Sequence, residues 1–154
     1  LWGQETHRSS IDRYKWYAQE LAMSGLVGRD DYVKRGAYTF RSGYDHTIEL
    51  LGLAEPPTAI VAASDEIAAG ALAAAANKSV SVPRDLSVVC ARNTPLGFDT
   101  WPDLTSYDLG TEALCARATR LLISELEDKA SKPHMIRIDL AFHERGSSAP
   151  APKI

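Results

Sequence analysis

A chain of 154 residues, 45% hydrophobic and 24% charged, is the size of one ordinary globular domain, able to bury roughly 70% of its unfolded surface. Its formal net charge of −3 lacks the basic excess that phosphate neutralisation needs, which argues against nucleic-acid binding by the chain itself. No apolar run approaches the ~20 residues of a membrane span, and Cys90 and Cys115 have no metal-type spacing, reading as reduced thiols of a cytoplasmic protein.

In chain order, Leu1-Trp2-Gly3 reads as the end of a strand, and without a leading Met the true start is expected upstream. Ser9, Ser10 and Asp12 are N-cap candidates for a helix to about Met23, with Tyr14, Tyr17, Ala18, Leu21 and Ala22 on its apolar face. Ser24-Gly25 ends it. A strand is predicted over Tyr32 to Tyr38, closed by Arg41-Ser42-Gly43. A second helix follows, marked by Thr47, Ile48, Leu50, Leu51 and Leu53.

The most informative stretch runs from Pro57 to Asn93. Thr58 to Ala63 reads as a buried strand, Ser64-Asp65-Glu66 opens an Ala-rich helix to Ala76, and Leu86 to Cys90 reads as a second strand. Two buried strands joined by a helix form the crossover unit of a parallel sheet. Asn93 to Ser106 is predicted irregular, with Pro95, Gly97 and Pro102 as breakers. Gly110 to Asp128 is predicted helical, with Leu114, Ala118, Leu121, Leu122 and Leu126 on one side. Met135 to Phe142 alternates like a strand, and Gly146 to Ile154 reads as a loose tail. The whole is an α/β fold with a mainly parallel sheet flanked by helices.

Catalytic signals are absent. No phosphate-cradling Gly-rich loop or Gly-x-Ser-x-Gly elbow occurs, and His7, His46, His134 and His143 are scattered without metal spacing. Asp65 and Glu66 are adjacent, so on a helix they point in different directions and make a poor acid/base pair; first-turn acids favoured by the helix dipole are the simpler account. The chain is read as neither an enzyme nor a cofactor protein.

The strings PTAI, then a polar residue before Asp65, then an Ala/Gly-rich helix with Gly70-Ala71-Leu72, then Val82-Pro83-Arg84-Asp85-Leu86-Ser87-Val88-Val89, resemble the LacI/GalR family of bacterial transcription regulators in order and spacing. Gly36-x-Tyr38-Thr39-x-x-Ser42-Gly43 resembles that family's G-x-F-T-x-x-S-G. Trp101 to Ser106 resembles its P-P-L-T-T crossover, and Phe142 to Ser148 its closing L-V-x-R-x-S-T. The resemblance implies a type I periplasmic-binding-protein-like lobe, incomplete at its N-terminus and lacking the DNA-binding helix-turn-helix. Residues 1–109 would form the C-terminal lobe, 110–140 would cross to a largely absent N-terminal lobe, and 141–154 would return. The long helix from Gly110 would then expose an apolar stripe.

By the same resemblance, Arg13 reaches ligand hydroxyls with its forked donors, and Ser9 donates to ligand or caps its helix. Tyr38 covers a sugar's apolar face. Ser64 stands where the family usually has Asn, keeping a hydroxyl but losing the amide's paired donor and acceptor. Where the family reads VVGFDD or VVGYDD, this chain reads Val88-Val89-Cys90-Ala91-Arg92-Asn93. A sugar-binding Asp has become Arg92. That points to an effector carrying negative charge, such as a sugar acid or sugar phosphate, against the alternatives that Arg92 pairs with Asp65 or Asp108 or faces solvent. The expected partners are a small carbohydrate-like effector, operator DNA through the missing N-terminal region, and a second copy in a homodimer, touching through elements like Arg41 to Leu53 and Asp65 to Ala76. A solute-binding protein of a sugar transporter is the alternative function.

Overall fold

The computed structural model describes residues 1–4, 7–127 and 137–151. Strands β1 (Ala59–Ala62), β2 (Ser87–Ala91), β3 (Thr105–Asp108) and β4 (Ala141–His143) lie side by side in that order. β1, β2 and β3 run parallel, with Ala62 beside Cys90 and Cys90 beside Ser106; β4 is antiparallel to β3. Beyond β1 the hydrogen bonding continues. Leu1 lies along Val61 to Ala63, and Trp2 forms a parallel bridge to Arg35 on its other side, accepting from the Gly36 N–H and donating to the Lys34 carbonyl. Residues 34–36, residues 1–3, β1, β2 and β3 thus stand in the spatial order second, first, third, fourth, fifth. The chain leaves residues 1–3 and β1 in opposite directions, and the crevice between their carboxyl ends is where an open α/β sheet receives a ligand.

Helix α1 (Arg8–Met23) covers one face, with Tyr17 edge-on to Trp2 at 5.8 Å between ring centres. Helices α2 (Phe40–Leu51) and α3 (Asp65–Asn77) share the other. α3 is apolar on nearly every side, and so is buried along most of its length. Ile60, Ala62, Val88, Cys90 and Leu104 from the sheet side meet Ile67, Ala68, Ala71 and Ala75 from α3 in one core. Two glycines let α2 and α3 touch backbone to backbone. A methyl at Gly70 would stand 2.1 Å from the Phe40 carbonyl oxygen, and one at Gly43 2.1 Å from that of Ile67.

Several expectations are corrected. Residues 30–32 form a short 3-10 turn, and the strand expected from Tyr32 to Tyr38 is reduced to the one bridge at Arg35. Arg41, Ser42 and Gly43 lie inside α2, because Thr39 caps it by accepting the Ser42 N–H at 3.2 Å. The N-cap of α1 is His7, without a side-chain bond, rather than Ser9, Ser10 or Asp12. β3 begins within the stretch expected to be irregular, its pairing with β2 outweighing a sequence of only four strand residues.

The closing segment is not loose where it is described. Ser147 is fully buried; its Oγ donates to the Val88 carbonyl at 2.6 Å and accepts the Thr105 N–H at 2.8 Å. It clasps β2 to β3, a role that composition alone does not reveal. The expected strand from Met135 and the helix end at Asp128 fall partly outside the described residues, as does the tail beyond Ala151; within them, β4 covers Ala141–His143. Helix α4 (Thr111–Glu127) is exposed except at the half-buried Leu121, and Leu114, Leu122 and Leu126 are at least half open to solvent.

Candidate functional site

The crevice at the carboxyl ends of residues 1–3 and β1 collects three of the expected residues. Tyr38, just before α2, is half-buried, and its hydroxyl lies 3.1 Å from Oγ of buried Ser10 in the first turn of α1. Its ring packs so close to Gly3 that a Cβ there would stand 2.0 Å from Cε2. His7 stacks beside the same ring, centroids 6.1 Å apart and planes 21° apart. One turn further along α1, Arg13 donates from Nη1 to the Ala63 carbonyl at 3.1 Å, at the end of β1. This single bond leaves most of the five guanidinium N–H donors free, and Arg13 has no carboxylate partner among the described residues.

Ser64 follows directly. It is fully buried and caps α3, its Oγ accepting the Ile67 N–H at 3.4 Å. That is the capping alternative to direct ligand contact, and it fixes the Ala63–Asp65 corner against which Arg13 rests. Ser9 lies on the exposed side of α1; its neighbour Ser10, one residue and about 100° further round the helix, is the serine that points at Tyr38. The helical phase was the signal available in the sequence.

Arg92 is turned elsewhere. It follows β2 with φ +125°, and Nη1 lies 3.5 Å from Oε2 of Glu66 on α3. Neither Asp65 nor Asp108 is its partner. Each acid is engaged separately. Asp65, fully buried, accepts the Thr94 N–H at 2.6 Å and the Cys90 thiol at 3.0 Å. Asp108 accepts from the Gly110 N–H at 2.7 Å and from the Asn93 amide at 3.2 Å, which hold its carboxyl below the usual range.

Asn93, with φ +56°, joins this loop to the end of the chain: its N–H reaches Ser106 Oγ, and its amide oxygen accepts from Arg145, whose guanidinium also lies over the Phe98 ring at 4.1 Å. Neither Asp65 as loop tether nor Arg145 as anchor was visible beforehand, because their partners lie 29 and 52 residues away in sequence. Burial pushes the Cys90 thiol up to about 12, with Asp65 adding to the shift against a lowering bond from Ser106.

No group of three or more His, Cys, Asp or Glu side chains suited to a metal occurs among the described residues. No described helix is long and apolar enough to cross a membrane.

The family described as periplasmic binding protein-like domain matches residues 1–148. The chain belongs to that family, in the form that LacI-family regulators carry. It is 36% identical over 131 residues to catabolite control protein A of Priestia megaterium, covering 80% of this chain and 39% of that protein. It is 32% identical over 145 residues to the HTH-type transcriptional repressor CytR of Escherichia coli strain K12, covering 91% of this chain and 41% of that one. A sugar-binding LacI-family regulator of Escherichia coli, solved in complex with phosphate, superposes with a TM-score of 0.84 at 27% identity, over 97% of this chain and 54% of that one. The chain thus spans about two fifths of the length of the curated relatives it matches. CytR and further relatives such as PurR are named as transcriptional repressors, which favours the regulator over the solute-binding protein.

Proposed function

We propose that this chain is the effector-binding lobe of a ligand-responsive transcription repressor acting in the cytoplasm. The observation that carries the reading is the crevice itself: an aromatic face at Tyr38, and a guanidinium at Arg13 bonded to the Ala63 carbonyl, with no carboxylate partner among the described residues. An aromatic plane suits the C–H face of a sugar, and a fork of donors suits paired hydroxyls or an oxyanion. Tyr38 and Arg13 bind the effector in this reading; Ser9 is at the rim, and Ser64 acts through the corner it caps. Arg92 supplies a second cation for an anionic effector, a sugar acid or sugar phosphate. The phosphate held by the sugar-binding relative from Escherichia coli supports that chemistry.

The site is completed by a second lobe, onto which residues 110–140 cross; residues 1–109 and 141–154 form the present lobe. The exposed apolar side of α4 supports this division. Effector binding shifts the balance between lobe arrangements, which requires different ligand contacts in each, and operator DNA is held by an N-terminal module. The protein acts by binding, without a catalytic step. A homodimer matches two-fold operators; a groove of about 530 Å³ beside α3, lined by Phe40, Leu72, Ala73, Leu96 and the exposed Trp101, is the surface we assign to it.

The test is operator release by the full-length protein across a panel of neutral sugars, sugar acids and sugar phosphates. Arg13→Gln is expected to weaken the active effector by roughly 10- to 100-fold, the loss of a charge-assisted contact. Equal response of wild type and Arg13→Gln would refute the assignment.

A further inference from the structure

We propose that an open apolar groove on the α1 face of the sheet is the seat of a helix from the same protein, formed by the segment that leads into Leu1. The proposal rests on the reading of this chain as one lobe of a longer regulator, and it is independent of which effector the crevice takes.

The two faces of the sheet are covered unequally. α2 and α3 together close one of them over Ile60, Ala62, Val88 and Cys90. On the other, α1 packs on Trp2 through Tyr17 and leaves the strands beyond β1 bare. Val61 and Tyr107 point to that side and stay 48% and 44% exposed, and Trp16 of α1 is 57% exposed. With Val89 and Leu140 they line a groove of about 450 Å³, whose charged side chains, Arg13 and Glu20, both come from α1. Parallel strands are stable with both faces covered, so a bare apolar stretch of this extent calls for a partner.

The surroundings of the Leu1 nitrogen identify that partner. This nitrogen lies inside the sheet and donates to the Val61 carbonyl at 2.7 Å, while the Leu1 carbonyl accepts the Ala63 N–H at 2.9 Å. These are the ladder bonds of a parallel pair. Burial pushes an ammonium in that place down to about 5, a cost that a peptide N–H making the same bond does not carry. Thr58 gives its carbonyl to Ser87, so by alternation the Ala59 carbonyl and Val61 N–H face the Leu1 edge and extend the ladder towards residues before Leu1. Those residues arrive at the amino end of the sheet, where Leu1, Tyr17, Tyr32, Val33 and Pro57 line a cavity of about 220 Å³.

A helix that feeds a parallel strand runs back along the sheet and joins the strand through a loop of roughly 2–6 residues. The α2–α3 face is already filled; the groove beside α1 is open. A helix laid there by its apolar stripe covers β1 to β3 and gives this face the two-helix layer that the other has. The chain spans about two fifths of the length of its curated relatives, which leaves ample length for such a segment. α1, which carries Arg13, is thereby seated against the connection that leads away from the lobe.

The test is photo-cross-linking of the full-length protein with benzoylphenylalanine in place of Trp16. The expected product is a link within one chain, mapped by mass spectrometry to roughly the 25 residues before Leu1, the span of a short loop and an average helix. A link to a second copy, a link to any other part of the chain, or no link overturns the proposal. Hydroxyl-radical footprinting of the unsubstituted full-length protein checks the same surface without a variant. Trp16 is expected to be oxidised as slowly as Trp2, which is 8% exposed in this lobe, at every protein concentration and with or without effector. A Trp16 rate well above that of Trp2, or protection that appears only as protein concentration rises, overturns the proposal. Normal release of operator by effector in a protein whose Trp16 surface links elsewhere would sink the docking and leave the effector site standing. The expected link in a protein that answers no effector would do the reverse.

Discussion

Asp65 accepts the backbone N–H of Thr94 at 2.6 Å although 29 residues separate them. The same carboxylate takes the Cys90 thiol, so one buried acid ties the start of α3 to the end of β2 and to the loop that carries Arg92. Replacing it by Ala strands the Thr94 donor. We expect Asp65→Ala to cost about 3 kcal/mol and Asp65→Asn, which keeps an acceptor, about half of that. Urea unfolding measures both, and a cost below ~1 kcal/mol for the Ala variant would remove the tether from the account.

Gly70 offers a prediction of opposite sign from propensity alone. In an open helix, Gly→Ala gains about 1 kcal/mol. Here the new methyl would stand 2.1 Å from the Phe40 carbonyl and 2.7 Å from the Tyr44 nitrogen, both backbone atoms that cannot rotate away. Gly70→Ala is expected to lose about 3 kcal/mol or more as α2 is forced off α3. Thermal unfolding followed by circular dichroism gives the sign directly.

The two thiols separate by burial. Cys90 is 1% exposed and Cys115 is exposed, so a disulfide reagent at pH 8 should label Cys115 rapidly and Cys90 only after unfolding. Because burial lifts the Cys90 pKa to about 12, the folded state keeps a proton that the unfolded thiol gives up near ~8.5. That contribution is complete below the unfolded value and is lost as pH rises toward 12. The urea midpoint should therefore fall between pH 8 and pH 10.5, and fall less in Cys90→Ala.

Trp101 is 93% exposed at the edge of the groove beside α3. If that groove is the self-association surface, Trp101→Glu should weaken the dimer by roughly thirtyfold or more, as for a central aromatic anchor. Sedimentation at graded concentrations reads the change; an unaltered dimer would move the interface elsewhere.

Much of this fold was legible in its sequence, for reasons that differ by element. The strand–helix–strand from Thr58 to Cys90 was found within one residue at each edge, because an apolar β-branched run, an N-capping serine and an Ala-rich segment are local signals. Arg13 and Tyr38 were singled out by motif, and both lie at the crevice. Glu66 as the partner of Arg92 was missed, as was Ser10 beneath Tyr38. In each case the true partner lies one position from the residue chosen, where helix phase and the orientation of a positive-φ turn decide which side chain faces inward.

Composition, periodicity and capping residues by themselves determined the α/β class, the parallel central unit and the place of the helices, since these depend on neighbours a few positions apart. Only the tertiary structure decided that residues 34–36 and 1–3 stand in exchanged order, that Gly43 and Gly70 bring two helix backbones together, that Ser147 clasps two strands, and that Arg92 is held by Glu66. Those outcomes depend on contacts between distant segments, and side-chain chemistry read along the chain carries no record of which distant carbonyl or carboxylate the fold will bring within bonding range.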